Sequence, residues 1–494
     1  MNEDLFCHDL PSTPRPNEIG TVLVTGASGY IGGRLVPELL ARGYKVRAMV
    51  RGESPDYETQ WPGVEIVVAD ALKIDQLQRV LQGIDTAYYL IHSLHLGAKE
   101  FEAADIKAAA NFRKAAVTAR VKRIIYLGGL GDIRGPLSSH LENRIKVAEE
   151  LRCGSVSVTI LRAAIIIGSG SASYEIIQDL VRNLPVILVP HWARNKCQPI
   201  AIRDVIKYLV GVLEIPQTAD KDFDIGGRAV ITYERMLKVL SILHRKKRIF
   251  LRSPISNIRF YAYAMSLLTR VPDSITQCLM EGLKNKVVCQ ENGIREYLPF
   301  EPISYREAVV RAMSREDQDK VSTRWSDAYP PAHELALKLS ELKGYPAYTA
   351  YYSIITEKKA SLLFRSICKI GGTEGWFNNN WMWRLRGSID RMFLGVGHIR
   401  GRKKYSTLKI NDVIDFWRVE DLRKDERLLL RAEMKLPGWA WLEFCVSEEE
   451  GKRRLSIISY YQARTFFGTV YWYIFYPFHE YLFQKLIKDI EKRS

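Results

Sequence analysis

Residues 21–32 read TVLVTGASGYIG, and this stretch decides the fold. The β-branched run before the first glycine predicts a strand, and the apolar spacing of residues 34–40 predicts a helix. Glycines at this spacing allow a tight turn, a close backbone approach to a pyrophosphate and close packing of the helix on the strand. The stretch predicts a dinucleotide-binding loop; the alternative is a purely structural glycine turn. The residues predicted to bind the cofactor here are Thr25, Gly26, Ser28, Gly29, Tyr30, Ile31 and Gly32.

The length and charge of the chain limit its class. At 494 residues it is too long for one core, so two or three domains are expected. The net charge of +16 favours anionic partners such as phosphates or anionic lipid headgroups. The alternative is a basic surface that contacts only solvent, which would give the same net charge. No stretch is typical of a nucleic-acid-binding module, so we expect no nucleic-acid partner. The seven cysteines are scattered without C-x-x-C spacing, which predicts neither disulfides nor a metal site and favours the cytoplasm.

Strands and helices alternate from residue 18 to about residue 315. This pattern predicts an α/β fold with a Rossmann-type, doubly wound parallel sheet and a small extension on the substrate side. Residues 1–17 are polar and contain prolines, which predicts a disordered tail rather than a signal peptide. Residues 316–344 are highly charged and predict a linker. From residue 345 a helix, several strands and a last helix predict an α+β domain with an antiparallel sheet.

The last helix falls in the aromatic stretch of residues 466–483. Pro477, His479 and Glu480 interrupt this stretch, and a membrane span needs about 20 mostly apolar residues, so we expect no span here. We expect a packed amphipathic helix. The alternative is an interfacial helix that contacts an anionic membrane.

Two parts of the chain resemble known families. Residues 19–315 resemble the atypical short-chain dehydrogenase/reductase superfamily, in its NmrA-like and complex I accessory-subunit-like branch. The segments that carry this resemblance are TGASGYIG at 25–32, VR at 50–51, AD at 69–70, YLGGLG at 126–131, and residues 162–168 and 198–205. Residues 345–494 resemble the DUF2867 domain, through GGTEGW at 371–376, DFWRV at 415–419, AEMKLPG at 432–438 and YWY at 471–473. The second resemblance implies a helix-grip fold, which often encloses an apolar cavity.

The residue at the end of the second strand of such a sheet selects between NAD and NADP. This chain has Arg51 there. A guanidinium matches a 2′-phosphate, so NADP is the expected cofactor, with NAD as the alternative. In that alternative Arg51 forms an ion pair with Glu53. The resemblance adds four cofactor-binding residues, two beside the adenine and two beside the nicotinamide: Asp70, Ala71, Leu90 and His92.

The resemblance also implies a Tyr–Lys pair one helical turn apart and a serine after the fifth strand. Gly129 stands in the place of the serine, and His140 and Arg144 take the Tyr and Lys places. His140 can donate a proton, because an imidazole ordinarily titrates near pH 6.5. Arg144 can hold a ribose or a phosphate but does not act as an acid. Ser138 is a nearby hydrogen-bond donor. The alternative is that these are ordinary polar residues at the edge of a helix.

The sequence leaves three functions open. The first is an NADP-dependent oxidoreductase whose second domain binds an apolar, quinone- or lipid-like molecule. The second is a non-catalytic nucleotide-binding protein that acts as a redox sensor or an assembly factor. The third is a peripheral lipid-binding protein at a membrane.

Overall fold

A computed structural model gives the fold of most of the chain. It describes residues 5–52, 56–92, 98–131, 138–269, 271, 273–290, 293–317, 323–324, 339, 342, 344–371, 375–376, 381, 383, 385, 387–388, 390, 408, 410, 412–434, 436–449 and 451–494. The chain divides into two compact units. The first consists of Met1–Leu268 and Ser274–Tyr329, and the second of Thr269–Asp273 and Pro330–Ser494.

The described strands of the first unit alternate with helices, as the sequence predicts. The strands are β1 (Thr21–Thr25), β2 (Lys45–Val50), β3 (Glu65–Val68), β4 (Thr86–Tyr89), β5 (Arg123–Gly129), β6 (Ser157–Ala163), β7 (Ile166–Ile167), β8 (Val186–Val189), β9 (Lys196–Cys197), β10 (Ile200–Ala201), β11 (Asp222–Ile225), β12 (Ile231–Thr232) and β13 (Ile249–Arg252). The helices are α1 (Pro16–Ile19), α2 (Gly32–Ala41), α3 (Asp56–Gln60), α4 (Ile74–Val80), α5 (Ala98–Thr118), α6 (Ser139–Arg152), α7 (Ala172–Asn183), α8 (Ile202–Glu214), α9 (Tyr233–Leu243), α10 (Ile258–Leu268), α11 (Asp273–Gly282), α12 (Ile294–Tyr297) and α13 (Tyr305–Asp317).

Seven of these strands form one parallel sheet. Its strand order is β11-β6-β5-β4-β1-β2-β3, so the order reverses between β1 and β4. Along β1, Val22 and Val24 pack in one core with α2 and α8, whereas Leu23 packs in another core with α4, α5 and α6. Helices therefore cover both faces, which confirms the doubly wound fold. Ligands of such sheets bind at the carboxyl ends of the strands, where the order reverses.

The amino-terminal segment is ordered from residue 5, so the expectation of a disordered tail is wrong for residues 5–17. Cys7 is 1% exposed and its backbone N–H donates to Glu38 on α2 at 3.0 Å. Ser12 donates to Glu214 at the end of α8. The carboxylates that hold this segment lie far away in the sequence, which is why composition alone did not reveal the contact.

The first unit also extends beyond the predicted boundary at residue 315. Most of the predicted linker lies outside the described residues, but Thr323 and Arg324 do not. Thr323 is 2% exposed and donates its hydroxyl to the carbonyl of Tyr30 at 2.9 Å, and Arg324 donates to Glu175 at 3.1 Å. These two residues therefore pack on the first unit rather than link it to the second.

The second unit contains a six-stranded antiparallel sheet and two described helices. Its strands are β14 (Tyr348–Thr356), β15 (Val413–Ile414), β16 (Trp417–Arg423), β17 (Arg427–Ala432), β18 (Gly438–Glu449) and β19 (Lys452–Ala463), in the order β14-β19-β18-β17-β16-β15. The helices are α14 (Ala360–Ile367) and α15 (Phe466–Lys492), and α15 packs on β14 and β19. The α+β fold is thereby confirmed. The run DFWRV at 415–419 predicts a strand, but a turn interrupts it. In this turn Asp415 has a φ of 55° and accepts the indole N–H of Trp376.

The long helix α15 changes environment along its length. Its last part packs in the core through Leu482, Phe483, Leu486, Ile487 and Ile490. Its first part instead leaves a set of large apolar side chains exposed: Phe466, Phe467, Val470, Tyr473, Ile474, Tyr476, Phe478 and Tyr481. No helix in the described part of the chain is both long enough and apolar enough to cross a bilayer.

Candidate functional site

The glycine loop joins β1 to α2 as the sequence predicts. Gly26 has a φ of 63°, and a Cβ there would lie 2.9 Å from the carbonyl oxygen of Leu90. A Cβ on Gly32 would lie 2.4 Å from the carbonyl oxygen of Gly26, so a side chain would fill the turn. No side chain caps the start of α2, because Ile31 occupies the cap position. Free N–H groups at such a helix start favour a phosphate, so the loop fits a dinucleotide.

A cavity of about 350 Å³ lies beside this loop, at the carboxyl ends of β1, β4, β5 and β6. It brings together most of the residues that the sequence singled out. The predicted residues in its lining are Gly26, Gly29, Tyr30, Ile31, Gly32, Leu90, His92, His140 and Arg144. The glycine loop, the residues predicted for the nicotinamide side and the predicted proton donor therefore share one space.

The other predicted residues lie outside that lining. Thr25 is buried between β1 and β4, where its hydroxyl donates to the carbonyl of Tyr88 at 2.9 Å and accepts the N–H of Leu90 at 3.0 Å. Ser138 caps α6 by accepting the N–H of Leu141 at 3.4 Å, which makes it a structural residue.

The predicted adenine side lies at the ends of β2 and β3. Arg51 follows β2, and Asp70 and Ala71 follow the adjacent strand β3. Asp70 accepts the N–H of Leu72 at 3.0 Å. Glu53, the alternative partner of Arg51, lies outside the described residues, as does the environment of the side chain at position 56. Ser28 also does not belong to the cavity lining.

Two histidine rings lie close together at the cavity, with their planes inclined by 36°. The ring centroids of His92 and His140 are 5.1 Å apart, and Nδ1 of His92 is 3.2 Å from Oδ2 of Asp105. The same carboxylate oxygen accepts the amide N–H of Asn143 at 3.1 Å. Asp105 thus favours the tautomer of His92 that carries its hydrogen on Nδ1, because a carboxylate is an acceptor.

Both imidazoles are neutral at pH 7. Burial, together with the nearby charge of Arg144, lowers the pKa of His92 to about 4 although Asp105 opposes the shift. Burial, His92 and Arg144 likewise lower the pKa of His140 well below its usual value. A proton from His140 would therefore come from a neutral imidazole rather than from an imidazolium.

Arg144 supplies the positive charge of the cavity. One of its nitrogens, Nη2, donates to the carbonyl of Leu127 at 2.6 Å, and its guanidinium lies 5.0 Å from the ring centroid of Tyr126. Its other terminal nitrogen, Nη1, is buried and has no hydrogen-bond partner among the described residues. A buried, unpaired N–H of a guanidinium is costly, so this nitrogen is a ready donor to an oxygen atom in the cavity.

The position that resembles the catalytic serine cannot hold a side chain as the site stands. A Cβ on Gly129 would lie 2.9 Å from Cδ2 of Leu141 and 3.6 Å from Cγ of Arg144. Leu141 is 7% exposed and fills that space. The chain therefore does not simply lack a serine hydroxyl at this position. Its packing around Gly129 differs from that of a site with a serine there.

Sequence reasoning missed the apolar wall of the cavity. Residues of α11 and the segment after it contribute Ile275, Cys278, Leu279, Leu283 and Val287. Burial raises the pKa of the Cys278 thiol to about 12, so it behaves as an apolar group. The three- to four-residue spacing of these side chains was a visible signal of one helix face. No group of three or more metal-ligand side chains occurs in the part of the chain that the structure describes.

Comparisons with known families confirm both parts of the recognition. Residues 26–180 match the family model described as NAD(P)H-binding, and residues 344–486 match that of DUF2867, a protein of unknown function. The chain thus carries an NAD(P)-binding domain near its amino terminus and a DUF2867 domain near its carboxyl terminus.

Known relatives match part of the chain. The chain is 24% identical over 287 residues to divinyl chlorophyllide a 8-vinyl-reductase of Arabidopsis thaliana, which covers 54% of this chain and 67% of that protein. It is 22% identical over 210 residues to the photosystem II assembly factor Ycf39 of Trieres chinensis, covering 42% of this chain and 64% of that protein. The chain thus spans about two thirds of the length of these relatives. A solved UDP-glucose 4-epimerase of Thermotoga maritima matches with a TM-score of 0.49 and 16% identity, over 60% of this chain and 99% of that chain.

Proposed function

We propose that this chain, in which an NAD(P)H-binding domain is joined to a DUF2867 domain, is an NADPH-dependent reductase of an apolar substrate. The observation that carries the proposal is the single cavity that unites the glycine loop, Arg144, the two histidines and an apolar wall. When bound, NADPH supplies a hydride. The chain's own residues would hold the substrate, exclude water and stabilise the charge that hydride uptake creates.

Arg144 is the residue we assign to charge stabilisation. Hydride addition to a carbonyl, or to a carbon–carbon double bond conjugated with one, leaves negative charge on the oxygen. The unpaired Nη1 of Arg144 is a buried, permanently charged donor for such an oxygen. His140, which is neutral, would donate a hydrogen bond and pass a proton between the product and solvent.

The relatives support a substrate that is large and apolar. The Arabidopsis relative is named for the reduction of a vinyl group of divinyl chlorophyllide a. Reduction of a carbon–carbon double bond at this cavity would require no Tyr–Lys pair of the usual kind, which this chain lacks. The wall formed by Ile275, Leu279 and Leu283 supports the same class of substrate.

Loss of NADPH absorbance with a panel of lipophilic enones, quinones and ketones tests the proposal. We expect turnover with at least one member, and a fall of about a hundredfold or more in kcat/KM for Arg144→Met, as for loss of an oxyanion donor. The control is Arg113→Met, because Arg113 pairs with Glu150 at 2.8 Å and does not line the cavity. Measurable NADPH binding without turnover of any panel member would contradict the proposal that the chain is a reductase.

The cofactor preference rests on Arg51. Arg47, in the same strand, donates to the carbonyls of Val80 and Gln82 at 2.7 and 2.8 Å and pairs with Glu65. Arg47 is therefore engaged in the sheet, and we assign the 2′-phosphate to Arg51 because it follows the carboxyl end of β2. Calorimetry should show tighter binding of NADPH than of NADH, and Arg51→Ala should weaken NADPH alone. Tighter binding of NADH would contradict this assignment.

A second function is supported by the packing at Gly129. Leu141 fills the space of the serine, and both histidines are neutral, so a nucleotide-binding redox sensor or assembly factor fits the same site. One relative is itself named as an assembly factor. This function predicts that His140→Ala leaves the cellular phenotype unchanged, whereas Gly29→Val abolishes it. Loss of the phenotype in both variants would favour the reductase, because the reductase needs His140 as well as the bound cofactor.

The first part of α15 supports contact with an anionic membrane. Phe466, Phe467, Tyr473 and Ile474 are 77%, 77%, 67% and 58% exposed, and the chain carries a net charge of +16. We expect Phe466→Ser/Phe467→Ser/Ile474→Ser to reduce sedimentation with phosphatidylserine-containing vesicles. Tyr345→Ser, which alters an exposed aromatic residue outside the helix, is the control. Equal sedimentation of the triple variant and the wild type would remove this role.

A further inference from the structure

The second unit contains an apolar cavity of its own. Its volume is about 260 Å³, and it lies between the sheet and α15. No Asp, Glu, Lys or Arg occurs among the described residues that line it. Its rim includes Trp381, Leu385 and Phe478, which are 64%, 53% and 57% exposed. An apolar space with an exposed apolar rim favours an uncharged, poorly water-soluble molecule.

Two tryptophans in this lining carry unpaired polar groups. Trp383 and Trp417 are 8% and 5% exposed, and their ring centroids are 6.4 Å apart with planes inclined by 70°. The Nε1 hydrogen of each is buried and has no acceptor within the described part of the chain. Buried indole N–H groups usually find an acceptor, because an unmade hydrogen bond there destabilises the fold.

Two nearby tryptophans outside the lining do have acceptors for their indole N–H groups. The indole of Trp376 donates to Asp415 at 2.9 Å, and that of Trp441 donates to Glu420 at 3.0 Å. The unit therefore supplies acceptors to the indoles that lie away from the cavity. The two residues whose indole N–H groups lack an acceptor among the described residues both line the cavity.

We propose that this cavity binds an uncharged apolar molecule that carries a carbonyl or ether oxygen, and that this oxygen accepts the indole N–H of Trp383 and Trp417. The flat rings around the space favour an aromatic or conjugated body, because stacked and edge-on contacts are available to it. The proposal stands on the second unit alone and does not depend on the nucleotide site.

Equilibrium dialysis of the full chain against 2-acetylnaphthalene and 2-ethylnaphthalene tests it. The two probes have similar shapes and differ in the carbonyl oxygen. We expect the ketone to bind about three- to tenfold more tightly, as for one net hydrogen bond. In Trp383→Phe and Trp417→Phe this ratio should fall towards one while the hydrocarbon still binds. In the control Trp441→Phe, which also loses a buried hydrogen bond, the ratio should stay at the wild-type value.

If the tryptophan variants do not fold, the indole N–H resonances of the wild type test the same proposal. Indole ¹⁵N labelling of the wild type gives one N–H resonance for each of its 10 tryptophans. The ketone should shift two of them downfield, and the hydrocarbon should not. A ratio of one in the wild type, an unchanged ratio in both variants, or the absence of saturable binding by either probe overturns the proposal.

Discussion

The charge state of the candidate site is decided by individual side chains around one cavity. Arg144 keeps its charge, and its field together with burial holds His92 and His140 neutral. Asp105 orients His92 without making it an imidazolium. The site is therefore suited to stabilising negative charge on an oxygen rather than to strong acid catalysis.

Gly129→Ser should destabilise the fold without creating a catalytic serine. The new side chain would meet Leu141, and overpacking of this kind costs about 1 to 3 kcal/mol. Thermal unfolding of the variant measures the loss. The double variant Gly129→Ser/Leu141→Ala should be less destabilised than the sum of the two single variants, because Leu141→Ala makes room. Additive losses would contradict the contact.

Stability should fall on acidification because of His92. Its pKa is lower in the folded chain, about 4, than its ordinary value of 6.5, so the unfolded chain binds the proton first. The neutral His92 therefore contributes about 3 kcal/mol to the free energy of unfolding above pH 6.5. This contribution is lost as the pH falls towards 4. Urea unfolding at several pH values should show a weaker pH dependence in His92→Asn, which keeps a donor for Asp105. His8→Asn, at an exposed position, is the control.

Elements were predicted best where the signal is local. The alternating strands and helices of the first unit follow from apolar periodicity, and so does the antiparallel sheet of the second. The apolar spacing of residues 71–83 predicts a helix there, but the helix begins only at Ile74 and ends at Val80, because Asp70 accepts the N–H of Leu72 in a turn before it. The aromatic composition of residues 466–483 left a packed helix and an interfacial helix both open, and only the structure shows that the first part of α15 is exposed.

The amino-terminal segment should contribute to stability although it looks like a tail. Deletion of residues 1–12 removes the two backbone N–H groups that Glu38 on α2 accepts, and one donor to Glu214 on α8, which keeps Arg42 and Tyr44. A buried acceptor left unpaired costs about 1 to 3 kcal/mol, so we expect a loss at least that large in urea unfolding. Deletion of residues 1–4 alone is the control. Equal stability of the two deletions would show that the segment contributes nothing.

At the scale of the whole molecule, two separate units carry two cavities of different chemistry. The cavity of the first unit contains a guanidinium and two imidazoles beside a phosphate-binding loop. The cavity of the second unit is lined by aromatic side chains without carboxylates or cationic groups among its described residues. The linings of the two cavities therefore differ in polarity and charge.

Hydrogen exchange should report the two ligands separately. A cofactor that binds only the folded first unit stabilises it by about 2.7 kcal/mol at a concentration a hundredfold above Kd. With NADPH we expect slower exchange in residues 26–32 and in β4 and β5, and unchanged exchange in β16–β19. With 2-acetylnaphthalene we expect slower exchange around Trp417. Protection of β16–β19 by NADPH alone would contradict the separate sites.

The sequence by itself determined the doubly wound sheet, the dinucleotide loop and the presence of a second α+β domain. These depend on glycine spacing and apolar periodicity, which act over a few residues. Only the tertiary structure decided that His140 is neutral, that Leu141 occupies the place of a serine, and that the N–H groups of Trp383 and Trp417 have no acceptor among the described residues. Those properties depend on burial and on neighbours that lie far apart in the chain, and no local pattern records them.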